Sequence, residues 1–584
     1  MRAWILVVGM VILGAHGALF AEDLSEETRA ERETALVEWL GVVRYFHPSE
    51  AVEDADWDGL LRKSLTIAAE AEDNQEFVTE VQALIEPVTI GMSLDEDGNG
   101  KGALPEDCDE SPLRWVHRGF NAWPSMQGDQ VGGPYSSRRT TWPEAGTGIG
   151  EDELPVDWEM RLPDERTVRV PLALCPEDAE HATEVEVPET EFGNEYAERA
   201  RHAIAVQAPV FRYFYPYPHV MEEDWDEWIR TGLVDGAKVE TRDDLQVFLE
   251  EFFHPLNDGH LRVVDTQAPE APEFLPIDIA WQDGRAVVIR VEEDAEIPLE
   301  PGDRITAVSG EPIEDWHKRQ MGRFSGSPQW REWRTRQKLL VDHADESSLS
   351  MEYERDGERE EIELAYSLER ELQTPEGEEY QEYGHGVIYV DLRAMEMADL
   401  TERLDALIEA EVVVFDVRGY PTDAGAEILD HLLEEPDEWG DWMRVLGRPG
   451  PEEDLIPIEA HGWNRSPAED AIEGEVVFLT DGSALSYAES VIGMVKKHDL
   501  GTVVGTPTAG TNGNILGIEA PAGFYVIYTG MQVLNPEGFT FQGVGLQPDV
   551  TVQADPDKLA AGRDPVLEGA LEAVDKDPAL IRSD

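Results

Sequence analysis

The chain carries one module twice. VRYFHPSEAVEDADWDGLLRKSL, from Val43, lies over FRYFYPYPHVMEEDWDEWIRTGL, from Phe211, at an offset of 168 residues without a gap. Arg44, Tyr45, Phe46 and Pro48 match Arg212, Tyr213, Phe214 and Pro216. Asp56, Trp57 and Asp58 match Asp224, Trp225 and Asp226. The register holds to the end of the unit, where EPVTIGMSL from Glu86 lies over HPLNDGHLR from His254. Agreement of this length marks a duplication, so any fold must accommodate two like units. The apolar spacing in FVTEVQALI and LQVFLEEFF is that of amphipathic helices, which makes the unit helical.

The copies part at their last turn. Asn257-Asp258-Gly259-His260 stands where the first copy has Thr89-Ile90-Gly91-Met92. Taken alone, His260 reads as a surface turn residue. His47, His202, His219 and His254 carry no comparable signal and read as structural.

The 584 residues are too many for one core, and 41% hydrophobic content with 16 Trp predicts folded domains rather than disorder. Residues 1–21 hold one arginine, an apolar stretch and then small residues, which read as a secretory signal cleaved after Gly17 or Ala21. An uncleaved anchor is the alternative. A periplasmic or secreted protein is therefore expected, with no stable membrane span after signal cleavage. The helical copies occupy 22–94 and 191–268. Between them, 95–190 is rich in Gly, Pro and Trp, contains strand-like stretches such as TVRVPLAL, and reads as a small β module. Cys108 and Cys175 both fall in it; export permits a disulfide, and two buried thiols stay open as the alternative.

The balance of 46 basic against 124 acidic residues gives a net charge of −78. Such a surface repels nucleic acid and anionic lipid. The charge is spread along the whole chain, as in a halophilic acidic protein whose self-repulsion is screened by salt. No metal-ligand spacing and no phosphate-binding glycine loop occurs, so neither metal nor cofactor is expected.

FLPIDIAWQDGRAVVIRVEEDAEIPLEPGDRITAVSGEPIEDW, from Phe274, places short alternating strands around a Pro-Gly-Asp turn. The stretch 269–367 resembles a PDZ domain, a fold that binds an extended peptide by adding it to a sheet edge; a ligand-free spacer is the alternative. From Gly384 strands and helices alternate, and apolar strands such as VVVFDVRG indicate a largely parallel sheet covered by helices. The class is multidomain α/β.

Four motifs follow in order: FDVRGY at 415–420, SALSYAES at 483–490, VVGTPTAG at 503–510 and GVGLQPDV at 543–550. With the PDZ-like turn they resemble the S41 serine peptidases, the tail-specific and tricorn-like proteases. The resemblance implies a ClpP/crotonase-like core over 368–555, followed by an acidic helix or tail at 556–584. It also implies that Ser486, three residues before Glu489, is the nucleophile and that Ser483 is a turn residue. Its helix start would stabilise an oxyanion through the backbone N–H of Tyr487. A second donor would come from the turn near Gly419. There the family usually has Asn and a Gly pair, whereas this chain has Tyr420-Pro421-Thr422-Asp423, and proline has no N–H.

The two branches of the family differ in their base. Tail-specific enzymes place a lysine where this chain has Thr511, and Lys496 and Lys497 read as a solvated helix end. Tricorn-like enzymes take a histidine from the turn closing the helical segment, which here is His260. They orient it with a glutamate at the position of Gln542, whose amide oxygen is able to accept the ring N–H. Asp258 and Glu489 are alternative partners. The implied function is an exported serine peptidase acting on peptide or protein substrates. The alternative is an inactive peptide- or envelope-binding protein on the same architecture. An acyl hydrolase such as an esterase is a third reading.

Overall fold

A computed structural model describes residues 25–95, 108, 111–118, 136–141, 154–180, 195–267, 273–282, 284–292, 294–341, 348–369 and 379–581. The expected signal at 1–21 lies outside the described residues. Among them, no helix is long and apolar enough to cross a membrane.

The duplication is structural. Helices α1 (Glu26–Phe46), α2 (Trp57–Glu70) and α3 (Asn74–Ile85) recur as α4 (Tyr196–Phe214), α5 (Trp225–Gly236) and α6 (Arg242–Phe253). Side chains of Asp56, Asp73, Asp224 and Thr241 cap the orphan N–H groups of α2, α3, α5 and α6, so the helix starts follow from local sequence. The two copies bury one shared core that includes Leu36, Trp39, Phe77, Phe211, Leu233 and Phe253. At its centre, Glu33 and Arg201, equivalent positions of the two copies, form an ion pair, and both are buried. Arg29 Nε lies 2.7 Å from Glu33 and its other nitrogen 2.9 Å from Glu198.

The region 95–190 does not close as one sheet among the described residues. Strand Thr167–Pro171 pairs on one side with Asp157–Arg161 and on the other with Ser93–Asp95, at the end of the first helical copy. The hairpin Leu113–Arg118 and Ser136–Thr141 instead joins Met443–Arg448 and Ile456–His461. A hairpin displays its own pairing in sequence; the distant edge it extends does not. Cys108 and Cys175 are joined by a disulfide.

The segment 273–365 forms its own antiparallel sheet with two helices, Ile313–Met321 and α7 (Pro328–Leu340). Strand β1 (Arg262–Asp265) leads into this segment. After it comes a six-stranded sheet with order β2-β3-β4-β5-β6-β9: β2 (Tyr380–Tyr383), β3 (Val387–Asp391), β4 (Val412–Asp416), β5 (Glu475–Thr480), β6 (Thr502–Gly505) and β9 (Val550–Thr551). All pairs but β2–β3 are parallel. Every residue of β4 is buried, as a strand covered on both faces requires. One face packs on α8 (Tyr487–His498) and its neighbours. The other packs on the helix Pro565–Ala573 through Val566, Leu567, Ala570 and Leu571. The C-terminal segment is thus part of the core. A three-stranded sheet, β7 (Ile515–Ala520), β8 (Phe524–Thr529) and β1, joins the end of the second helical copy to the segment after β6.

Candidate active site

Ser486 stands at the N-cap of α8, after β5 and the turn Asp481–Ser483. Ser483 is occupied within that turn: its N–H donates to Asp481 Oδ1 at 2.8 Å and its hydroxyl bonds the same oxygen. Ser486 adopts φ 58 and ψ −109, a left-handed conformation that costs a non-glycine residue about 1–3 kcal/mol. That strain is borne by the surrounding bonds. Ser486 N–H donates to Thr511 O at 2.9 Å, and Glu489 accepts from Thr508 Oγ1, Gly510 N–H and Thr511 N–H. Burial pushes Glu489 up to about 8, against these hydrogen bonds to its carboxylate. Ser486→Gly is expected to melt higher than Ser486→Ala by about 1 kcal/mol in stability, because only alanine keeps a Cβ at positive φ. Equal stabilities of the two variants would show the turn to be unstrained.

The NDGH turn is built by three distant segments. Asn257 takes φ 49, the left-handed conformation that asparagine tolerates. Asp258 N–H donates to Ser325 Oγ at 2.9 Å, and Gly259 N–H to Thr511 Oγ1 at 2.7 Å. A Cβ on Gly259 would stand 2.9 Å from that hydroxyl, so the glycine permits the approach. Thr511 therefore ties the histidine turn to the serine loop.

His260 is 6% exposed, and with Ser486 it lines a cavity of about 390 Å³. Its Nδ1 lies 2.8 Å from Thr529 Oγ1. Thr529 in turn donates its hydroxyl to Asp258 Oδ1 and its N–H to Oδ2, each at 2.7 Å. A hydroxyl that has given its proton to a carboxylate is left as an acceptor. The ring proton then belongs on Nδ1, and Nε2 keeps its lone pair for the cavity. Burial, and next the charge of Arg262, hold the imidazole well down, at about 3, so it is neutral at ordinary pH.

The direct contact expected between Gln542 and His260 is not made. Gln542 Nε2 donates to Asp258 Oδ1 at 3.3 Å, and its Oε1 is buried without a partner. Asp258 is the carboxylate behind the ring, one hydroxyl removed, while Glu489 faces the 508–511 loop. Thr529 was missed in the sequence, because it lies in FYVIYT, which reads only as a strand. Lys496 pairs with Asp549 at 2.6 Å and Lys497 lies over Trp439, so neither is bonded to Ser486.

The FDVRGY turn comes to the same cavity. Arg418 pairs with Asp416 and Asp564, and Arg393 donates to Arg418 O at 2.9 Å. Gly419 takes φ 131, and a Cβ there would meet Arg393 Cδ at 2.9 Å. Tyr420 lines the cavity. Burial raises its phenol, and a hydrogen bond from the Ser486 hydroxyl opposes the rise. No hydrogen bond joins Ser486 to His260 among the described residues. The N–H groups of Tyr487 and Gly419 have no acceptor among the described residues.

Residues 386–552 match the sequence profile of Peptidase family S41. Among solved structures, mature CPAF complexed with lactacystin aligns with TM-score 0.52 and 14% identity, over 65% of this chain and 98% of that one. Another structure of mature CPAF aligns with TM-score 0.51 and 14% identity, over 65% and 96%. At such identity the likeness speaks for the fold. The tricorn protease aligns with TM-score 0.34 and 16% identity, over 80% of this chain and 45% of that one, too loosely to argue from. No curated protein matches the chain.

Proposed function

We infer, from the premise that this chain is an S41-family peptidase through its residues 386–552, that it cleaves peptides with Ser486 as nucleophile and His260 as base. The observation that carries this is the shared cavity: a serine on a strained helix start beside a neutral imidazole whose far nitrogen is engaged. In the reaction, rotation of Ser486 away from Tyr420 brings its hydroxyl to His260 Nε2. The imidazole takes the proton as the oxygen attacks the carbonyl, and later hands it to the leaving amine. The unpaired N–H groups of Tyr487 and Gly419 receive the developing oxyanion. Thr529 and Asp258 hold the ring tautomer, and Gln542 supports Asp258 from behind. The PDZ-like segment 269–367 is read as a peptide-docking module whose α7 also braces the site, through Ser327 Oγ–H to Ala509 O at 2.6 Å.

Export through residues 1–21 belongs to the same reading, and the disulfide Cys108–Cys175 suits an oxidising compartment. The competing reading is a binding protein on this fold. It draws on the bond from Ser486 to Tyr420 and on the amide at position 542. A fluorophosphonate probe decides between them. Labelling of the wild type at Ser486 and peptide turnover in molar salt, both abolished by Ser486→Ala, are expected. An unlabelled wild type that leaves every peptide intact would sink the catalytic reading.

A further inference from the structure

The cavity at Ser486 has an electrostatic character opposite to that of the chain. The protein carries 124 acidic residues, yet among the described residues no carboxylate lines this cavity, and one guanidinium, that of Arg262, does. Arg242 is matched with Asp265 and Arg323 with Glu250, whereas Arg334, whose charge meets that of Arg262, packs over the rings of Phe324 and Trp330. Arg262 has no hydrogen-bond or ion-pair partner among the described residues and is exposed. The strand geometry explains where it points. His260 lies in the turn just before β1 and Arg262 opens the strand, and both side chains line the one cavity. Ile527 stands opposite Arg262 in register and lines the cavity with it. An arginine held at an open site without a counter-ion leaves its planar donor fork free for a ligand, and carboxylates match that fork.

Resting on the peptidase reading above, we propose that Arg262 is a specificity-determining residue that pairs with a substrate carboxylate one or two residues from the scissile bond. The distance follows from the chain itself. Two residues of chain reach at most about 7 Å, and same-side side chains in an extended peptide stand about 6.6 Å apart. A peptide laid over the β1 face with its reacting carbonyl at Ser486 and His260 therefore sets a neighbouring residue at Arg262. The carboxylate belongs either to an Asp or Glu side chain or to a free C-terminus. Pairing has a second consequence. Arg262 is the charge that depresses His260, and a bound carboxylate offsets it, which favours the imidazolium formed during attack.

The test is a peptide panel in which Gln, Glu and Lys stand in turn at each position flanking the cleaved bond, in parallel with free-acid and amidated C-termini. Wild type is expected to prefer the carboxylate at one position by on the order of 10- to 100-fold in kcat/KM. Arg262→Gln should bring that ratio close to one, Arg262→Lys should keep part of it, and Arg262→Glu should invert it in favour of Lys. Inversion is a gain that misfolding does not produce. A preference confined to free-acid peptides assigns the C-terminus as the source, and one that survives amidation assigns a side chain. Wild type indifferent to charge at every position and terminus, or Arg262→Gln keeping the full ratio, overturns the proposal. If Ser486 proves unreactive, the same Glu and Gln peptides are titrated against Ser486→Ala. Discrimination there that depends on Arg262 upholds carboxylate recognition although catalysis has failed, and its absence rejects both.

Discussion

Thr529→Val is expected to lower kcat by about 10²–10⁴-fold, an effect close to that of a lost triad orienter. Valine has nearly the shape of threonine, so packing is retained while one oxygen is removed. That oxygen is the acceptor of the proton on His260 Nδ1 and the donor to Asp258. Without it the imidazole has no reason to keep Nε2 unprotonated, and the wrong tautomer points an N–H at the serine. Asp258 keeps the backbone N–H groups of Thr529 and His260 and the amide of Gln542, so the turn should hold. The loss of one donor to a buried carboxylate costs about 1–3 kcal/mol of stability. Thr529→Ser restores the hydroxyl and should recover most of the activity. Peptide turnover and the rate of fluorophosphonate labelling measure both. Labelling within a few-fold of wild type in the valine variant would mean that His260 is not oriented through this hydroxyl.

Glu33→Ala is expected to destabilise the fold by about 3–5 kcal/mol. Glu33 and Arg201 are both buried where the two helical copies meet, and the substitution leaves the guanidinium of Arg201 with only the half-exposed side of its environment, at Glu26. The cost comes from the stranded charge rather than from the value of the pair. Accordingly, the double variant Glu33→Leu with Arg201→Leu is expected to recover most of the loss, since Arg29 retains Glu198. Urea denaturation at fixed salt reads the difference. A cost below about 1 kcal/mol for Glu33→Ala would show that water reaches the pair. At this one pair of equivalent positions the two copies carry opposite charges, Glu33 and Arg201, which joins them at their interface.

The duplication was visible because helix periodicity, caps and turn residues are local, and both copies kept them: α3 and α6 begin and end at equivalent residues. The strand-turn-helix that presents Ser486 was visible for the same reason. His260 was visible only as a difference between copies, and its partner was not. Sequence ranked neither Asp258 nor Glu489, pointed to Gln542, and passed over Thr529.

The amino-acid sequence by itself determined two like helical units, a parallel sheet with apolar strands and a serine at a helix start, because these depend on contacts a few residues apart. Tertiary structure decided the rest. β1 pairs with β8 so that Arg262 faces Ile527, and just beyond that ladder the His260 ring meets Thr529. That register, the pairing of the 113–141 hairpin with 443–461, and a cavity that no carboxylate lines among the described residues all depend on segments hundreds of residues apart. A strand displaced by one residue would turn every one of these side chains to the other face, and nothing in the local pattern of FYVIYT records which alignment is realised.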